Sequence, residues 1–239
     1  MKSFKTIRQR AEKRKGGPKG LARLLPPKPD HASLAALTDD RVLAEMTRRV
    51  FCAGFVWRVI DNKWPGFEEA FLGFVPRILL ARPDEFWEKL TTDTRIVRNA
   101  TRIISVRRNA AFVTEIAHEH GSFGRFLDAW PADDQVGLLD LLAKRGDRLG
   151  GGSGQMLLRS LGWDAYMTSS DVVACMRDAG LDIAEQVTSK RDRIKVQAQF
   201  NAWVKASGLP YLHVSRICAM SIGENRALND IDTGTQDSE

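Results

Sequence analysis

Two apolar segments with helical spacing, joined by a basic and then glycine-rich turn, constrain this chain more than any other feature. The stretch from Leu142 to Val173 reads LAKRGDRLGGGSGQMLLRSLGWDAYMTSSDVV. Leu138, Leu139, Leu141 and Leu142 mark the first segment, which ends in Lys144, Arg145 and Arg148. Met156, Leu157, Leu158 and Leu161 mark the second, which stops at Gly162. Between them stand Leu149, Gly150, Gly151, Gly152, Ser153 and Gly154, followed by Gln155. The spacing predicts two helices across a tight hairpin over about residues 137–162. Residues without a Cβ let a phosphate approach the backbone. The N–H groups opening the second helix then face that anion, with the helix dipole favouring it. The same glycines also fit a turn between two packed helices that binds nothing. Both readings stand on these residues.

From Leu37 onward apolar residues keep helical spacing, and strict alternation over a strand length is scarce. Val42, Leu43, Met46, Val50, Phe51 and Val56 mark one helix face, and Ile103, Val106, Val113 and Ile116 mark another. Ile194, Phe200, Trp203 and Val204 fit a long helix after Ser189. Breaks fall at Trp64-Pro65-Gly66, Arg82-Pro83, Trp130-Pro131 and Leu209-Pro210. The chain reads as all-α. At 239 residues with 43% hydrophobic content it suits one large domain or two small lobes. Three scattered cysteines fit buried thiols in a reducing compartment better than a disulfide scaffold. No apolar run approaches the ~20 residues that cross a bilayer, which predicts a soluble, intracellular protein with no membrane partner.

Positive charge is concentrated at the start. Residues 1–28 hold ten Lys and Arg against Glu12 alone, and the whole chain carries a net charge of +6. Gly16, Gly17, Pro18, Pro26, Pro27 and Pro29 interrupt any continuous helix. This predicts a short helix and an extended, flexible arm over residues 1–30. Such an arm could follow DNA phosphates, be a solvated tail, or be a transit peptide. One helical domain is expected over 31–225, then a disordered acidic tail over 226–239.

Several weak motifs in a fixed order add a resemblance. LAEMTRRVFCAGFVWRVI (43–60) resembles the pocket-forming region of DNA-3-methyladenine glycosylase I. TTDTRIVRNATRIISVRRNAAFV (91–113) and SFGRFLDAWP (122–131) follow that family's order, and the glycine turn resembles the helix-hairpin-helix element of DNA glycosylases. The resemblance covers roughly Leu37 to Val173. It implies a two-lobed helical fold with a cleft, and a monomeric enzyme acting on double-stranded DNA that carries a damaged base. No cofactor is implied. Gly150 to Gly154, Gln155, Lys144 and Arg148 would touch DNA, and Trp57 with Phe51 would wall the base pocket. Trp57 also fits the bland role of core packing.

The departures bear on chemistry. Aligned on Ala53-Gly54, the family's pocket glutamate falls at Arg49, with Glu45 one helical turn earlier. The family's structural zinc needs Cys and His that this chain does not space correctly, so a diverged member without the zinc site is expected. Asp171 is the candidate catalytic carboxylate, placed to stabilise a developing sugar cation. Ser169-Ser170-Asp171 before an apolar run is equally an ordinary helix N-cap. Two functions follow from the resemblance: a monofunctional glycosylase releasing alkylated purines such as 3-methyladenine, or a DNA-binding relative that has lost the chemistry.

Overall fold

Helix caps and apolar spacing set the architecture, and among the described residues no strand occurs. A computed structural model describes residues 1–54 and 56–224. It contains α1 (Phe4–Arg14), α2 (Gly17–Arg23), α3 (His31–Ala35), α4 (Asp39–Cys52), α5 (Trp57–Ala70), α6 (Pro76–Leu80) and α7 (Asp84–Leu90). There follow α8 (Ala100–His120), α9 (Phe123–Ala129), α10 (Gln135–Arg145), α11 (Gly151–Ser160), α12 (Ser170–Asp178), α13 (Lys190–Ser207) and α14 (Tyr211–Ser221). The chain is all-α, and it divides into two compact units.

The middle unit, Pro29–Ala165, is built on α4 and α8. On α4, Val42, Leu43, Met46, Val50 and Phe51 are buried, as their spacing predicts. Val56 lies beyond α4 and is 70% exposed, so it leaves that face. The 21 residues of α8 span roughly 31 Å at the rise of an α-helix. Its Ile103, Val106, Ala110, Val113 and Ile116 form a continuous buried stripe. Asn99 caps its start by accepting from the Arg102 N–H at 3.1 Å, and Gly121 at φ +85° ends it. His118 and His120 lie in its last turn. Phe51, Phe67, Phe71 and Phe74 fill the centre, with Phe51 edge-on to Phe67 at 4.8 Å between ring centroids. Pro65 does not break the chain as its sequence context suggests; it sits inside α5. The close approach of Arg95 explains the neighbouring glycine, since a Cβ on Gly66 would come within 2.6 Å of the Arg95 carbonyl oxygen.

The second unit joins the two parts of the chain furthest apart in sequence, Met1–Lys28 with the residues from Tyr166 onward. The expected flexible arm over 1–30 is helical instead. Phe4, Ile7 and Ala11 recur at helical spacing and are buried against α13 and α14, which outweighs the charge of the intervening residues. Gly16, Gly17 and Pro18 do interrupt the helix, but only long enough to start α2. Tyr166 stacks on Phe200 at 4.2 Å in the same core. Polar clasps finish the attachment of α1. Asp178 accepts from Lys2 Nζ at 2.7 Å and from Arg10 at 2.6 Å, and Arg14 donates to the carbonyls of Met220 and Gly223 at 3.1 and 2.6 Å. The expected single domain over 31–225 is thus split at residue 165, while the acidic tail over 226–239 lies outside the described residues. Ile194, expected on a buried face of α13, is 50% exposed.

Candidate nucleic-acid interface and base pocket

The hairpin forms between α10 and α11, with its turn over residues 146–150. The glycine run is therefore mostly the first turn of α11, not the loop. Gly150 is its N-cap, with no side chain satisfying the first N–H groups. Gly151, at φ +58°, adopts a backbone conformation that L side chains rarely take. Gly151 and Gly152 are exposed, and a Cβ on either would meet nothing within 4 Å. Lys144 and Arg148 are exposed in the same segment, and Arg148 also holds positive φ, at +62°. Ser153 and Gln155 are half-buried in α11. Gly154 does not face outward as expected: a Cβ there would lie 2.6 Å from the Leu149 carbonyl oxygen and 2.9 Å from Leu139 Cδ2. It is a packing glycine that lets α11 close on its own turn.

What fixes the turn is a residue on α8. Asn109, 1% exposed, accepts from the Asp147 N–H at 2.8 Å and donates to the Asp147 carbonyl at 3.1 Å. The amide mimics a strand partner for one peptide unit, and Arg108 adds an ion pair to the Asp147 carboxylate at 2.9 Å. Leu149 is fully buried beneath the turn.

The second cluster surrounds the α4–α5 junction. Arg102 of α8 donates to the carbonyls of Phe51 and Ala53 at 2.7 and 2.5 Å, satisfying the C-terminus of α4 where the chain turns through Gly54. Trp57 opens α5 and is 43% exposed, and among the six tryptophans it alone is an exposed one. Arg49 lies over its ring at 4.9 Å and pairs with Glu45 through Nε at 2.5 Å. Glu45 also lines a groove of about 230 Å³ shared with Arg41, Arg48, Trp64 and Glu68. There Arg48 covers Trp64 at 4.0 Å, and the indole N–H donates to Glu68 at 3.0 Å. Glu45, Arg49 and Trp57 are thus brought into one chain of contacts. Phe51 is not: it is fully buried in the core, so its expected place in the pocket wall is corrected.

The model of the methyladenine glycosylase family matches residues 34–137. The likeness to that family is carried by this segment, which is less than half of the chain. The segment contains α4, which carries Glu45 and Arg49, α5, which carries Trp57, and α8, which carries Asn109. A solved structure of 3-methyladenine DNA glycosylase I is similar, at 19% identity and a TM-score of 0.45, over 57% of this chain and 80% of that one. A comparison with curated proteins gave no match.

Asp171 lies outside the segment with the methyladenine glycosylase match, and in the other unit from Trp57. It is exposed at the second position of α12. The cap of that helix is Ser169, whose hydroxyl accepts from the Val172 N–H at 3.4 Å, so capping is not the role of Asp171. Its carboxylate lies against Gly223, where a Cβ would come within 2.6 Å of Oδ1. The donor set does not fit the zinc that the resemblance implies. Among the described residues no three of His, Cys, Asp and Glu are grouped to hold a metal. Cys175 is instead faced by the Arg10 guanidinium at 3.8 Å, and a fixed cation there opposes a second one. Contacts with Cys218 and Ser221, together with the Arg10 guanidinium, hold the Cys175 thiol below its ordinary pKa against the effect of burial. Asn109 and Arg102 carry no sequence signal of a site beyond their place in the RNATRIISVRRNA pattern.

Proposed function

We propose that this protein is a DNA glycosylase of base-excision repair that hydrolyses the N-glycosidic bond of an alkylated purine in double-stranded DNA. The observation that carries the reading is Trp57. A base turned out of the duplex needs an aromatic face to stack on, and of six tryptophans this one is presented to solvent beside the Gly54 turn. The hairpin supports it with open N–H groups at Gly151 and Gly152 and the flanking Lys144 and Arg148, a set suited to one strand's phosphates. An alkylated purine is cationic and departs neutral, so the remaining need is negative charge near the sugar as an oxocarbenium-like state develops. On this reading the enzyme acts as a monomer in the cytoplasm, on the nucleoid.

One observation favours a second reading, a DNA-binding protein without base excision. Arg49 already lies over the Trp57 ring, and it neutralises Glu45, so a cationic base would meet a cation. Base release from duplexes carrying 3-methyladenine, 7-methylguanine or hypoxanthine separates the two. Release of the methylpurines, lost in Trp57→Ala, is the expected result. A protein that binds all three duplexes and releases nothing is the DNA-binding relative.

A further inference from the structure

The positive charge of the protein does not reside in the unit with the glycosylase match. Residues 29–165 hold 18 Lys and Arg against 19 Asp and Glu, a net charge of −1. Residues 1–28 hold ten against one, a net charge of +9. The structure sorts those ten. Lys2, Arg8, Arg10 and Arg14 are engaged internally, with Asp178, Glu12 and the carbonyls at the end of α14. Lys15 is held below its ordinary pKa by burial and by the nearby guanidiniums of Arg14 and Arg216, a sign of crowded positive charge. Lys5, Lys13, Lys19, Arg23 and Lys28 are exposed and make no ion pair or hydrogen bond among the described residues.

We propose that the exposed side of α1, α2 and the segment that follows to Lys28 is a docking surface for the phosphate backbone of duplex DNA, independent of sequence and of damage. The inference rests on the reading of DNA as the substrate. Three observations favour a nucleic acid over a lipid surface or an acidic peptide. The apolar residues of α1 are buried, and its exposed face between Lys5 and Lys13 offers only Thr6, Arg8 and Gln9, with no side chain to insert into a bilayer. Lys5, Gln9 and Lys13 follow one another at every fourth position, a polar stripe about 12 Å long on a helix, along which a duplex presents about seven charges. The helices are fixed in their unit by Phe4, Ile7 and Leu21 in its core, so no arm has to be ordered on binding.

The test uses the full chain with Lys5, Lys13, Lys19, Arg23 and Lys28 all changed to Gln. Affinity for an undamaged duplex is followed by fluorescence anisotropy between 50 and 200 mM salt. Five lost phosphate contacts reduce the slope of log affinity against log salt by up to about 4.5, or about 500-fold over that range. A fall in slope of about 2 or more, at an unchanged melting temperature, is the expected result. If the melting temperature falls, Lys13→Gln and Lys19→Gln are measured singly, and each should lower the slope by about 0.9. An unchanged slope overturns the proposal, as does a variant that loses binding to phosphatidylserine vesicles while its DNA slope stays the same. Base release is read in parallel. A wild type that excises nothing but shows the slope change leaves this surface standing while the glycosylase reading falls.

Discussion

Replacing Asn109 tests whether the hairpin is held from α8. Asn109→Ala removes an acceptor 2.8 Å from the Asp147 N–H and a donor 3.1 Å from its carbonyl. Each bond contributes roughly 1 kcal/mol, and each polar group left without a partner in a buried site costs roughly 1–3 kcal/mol. Asp147 is only half-buried, so water can reach part of what is vacated, and the lower end applies. The expected loss is about 2–3 kcal/mol in urea unfolding. Asn109→Asp should be worse than Ala, since it keeps the acceptor but sets a buried carboxylate against the Asp147 carbonyl. Hydrogen exchange at Leu149 and Gly150 should quicken in both variants, and duplex affinity should fall with it. If Asn109→Ala unfolds within about 0.5 kcal/mol of the wild type and Asn109→Asp is no worse, the clamp does not hold the turn.

Two further outcomes follow from close packing and from charge. Gly154→Ala should cost about 1–3 kcal/mol through the Leu149 carbonyl at 2.6 Å, whereas Gly152→Ala, with open space around its Cβ, should keep or slightly raise stability. Thermal melts of the pair check the difference, and on the proposed reading Gly152→Val weakens duplex binding while the protein stays folded. Lys2 and Arg10 hold the Asp178 carboxyl below its ordinary value. A depressed folded pKa gives stability that is full above the unfolded value near 3.8 and is lost as pH falls through the folded one. With the carboxylate about a third exposed, Asp178→Asn should therefore cost about 1 kcal/mol at pH 7 and less below pH 3, measured by denaturant midpoints at both pH values.

Local signals in this chain carried the helices and not their partners. The buried faces of α4 and α8 follow from apolar spacing, and the helix starts at Ser169 and Ser189 from residue type. The glycine run did not reveal where α11 starts, because glycine serves equally as N-cap, first turn and close-packing residue, and Gly150, Gly151 and Gly154 fill those three roles in turn. The burial of α1 depends on residues more than 160 positions away, a contact no local window contains. Its lysines and arginines mask three apolar positions that would otherwise announce a packed helix. The pocket was legible as a motif at Trp57, but the Arg49 guanidinium over its ring is a matter of rotamer and helix crossing, which composition does not encode.

The two-ended construction of the unit that holds α1 has a consequence for the order of synthesis. Arg14 leaves the ribosome early, yet its acceptor at Gly223 lies 209 positions later. At ~5–20 residues per second that interval lasts about 10–40 s, long enough for an intervening helical domain to fold first. Until then the apolar side of α1 has no α14 to cover it, and the nascent helix is a basic, amphipathic segment open to chaperones and proteases. A chain that stops short of α14 would therefore leave the apolar side of α1 uncovered, about 200 positions in sequence from the break.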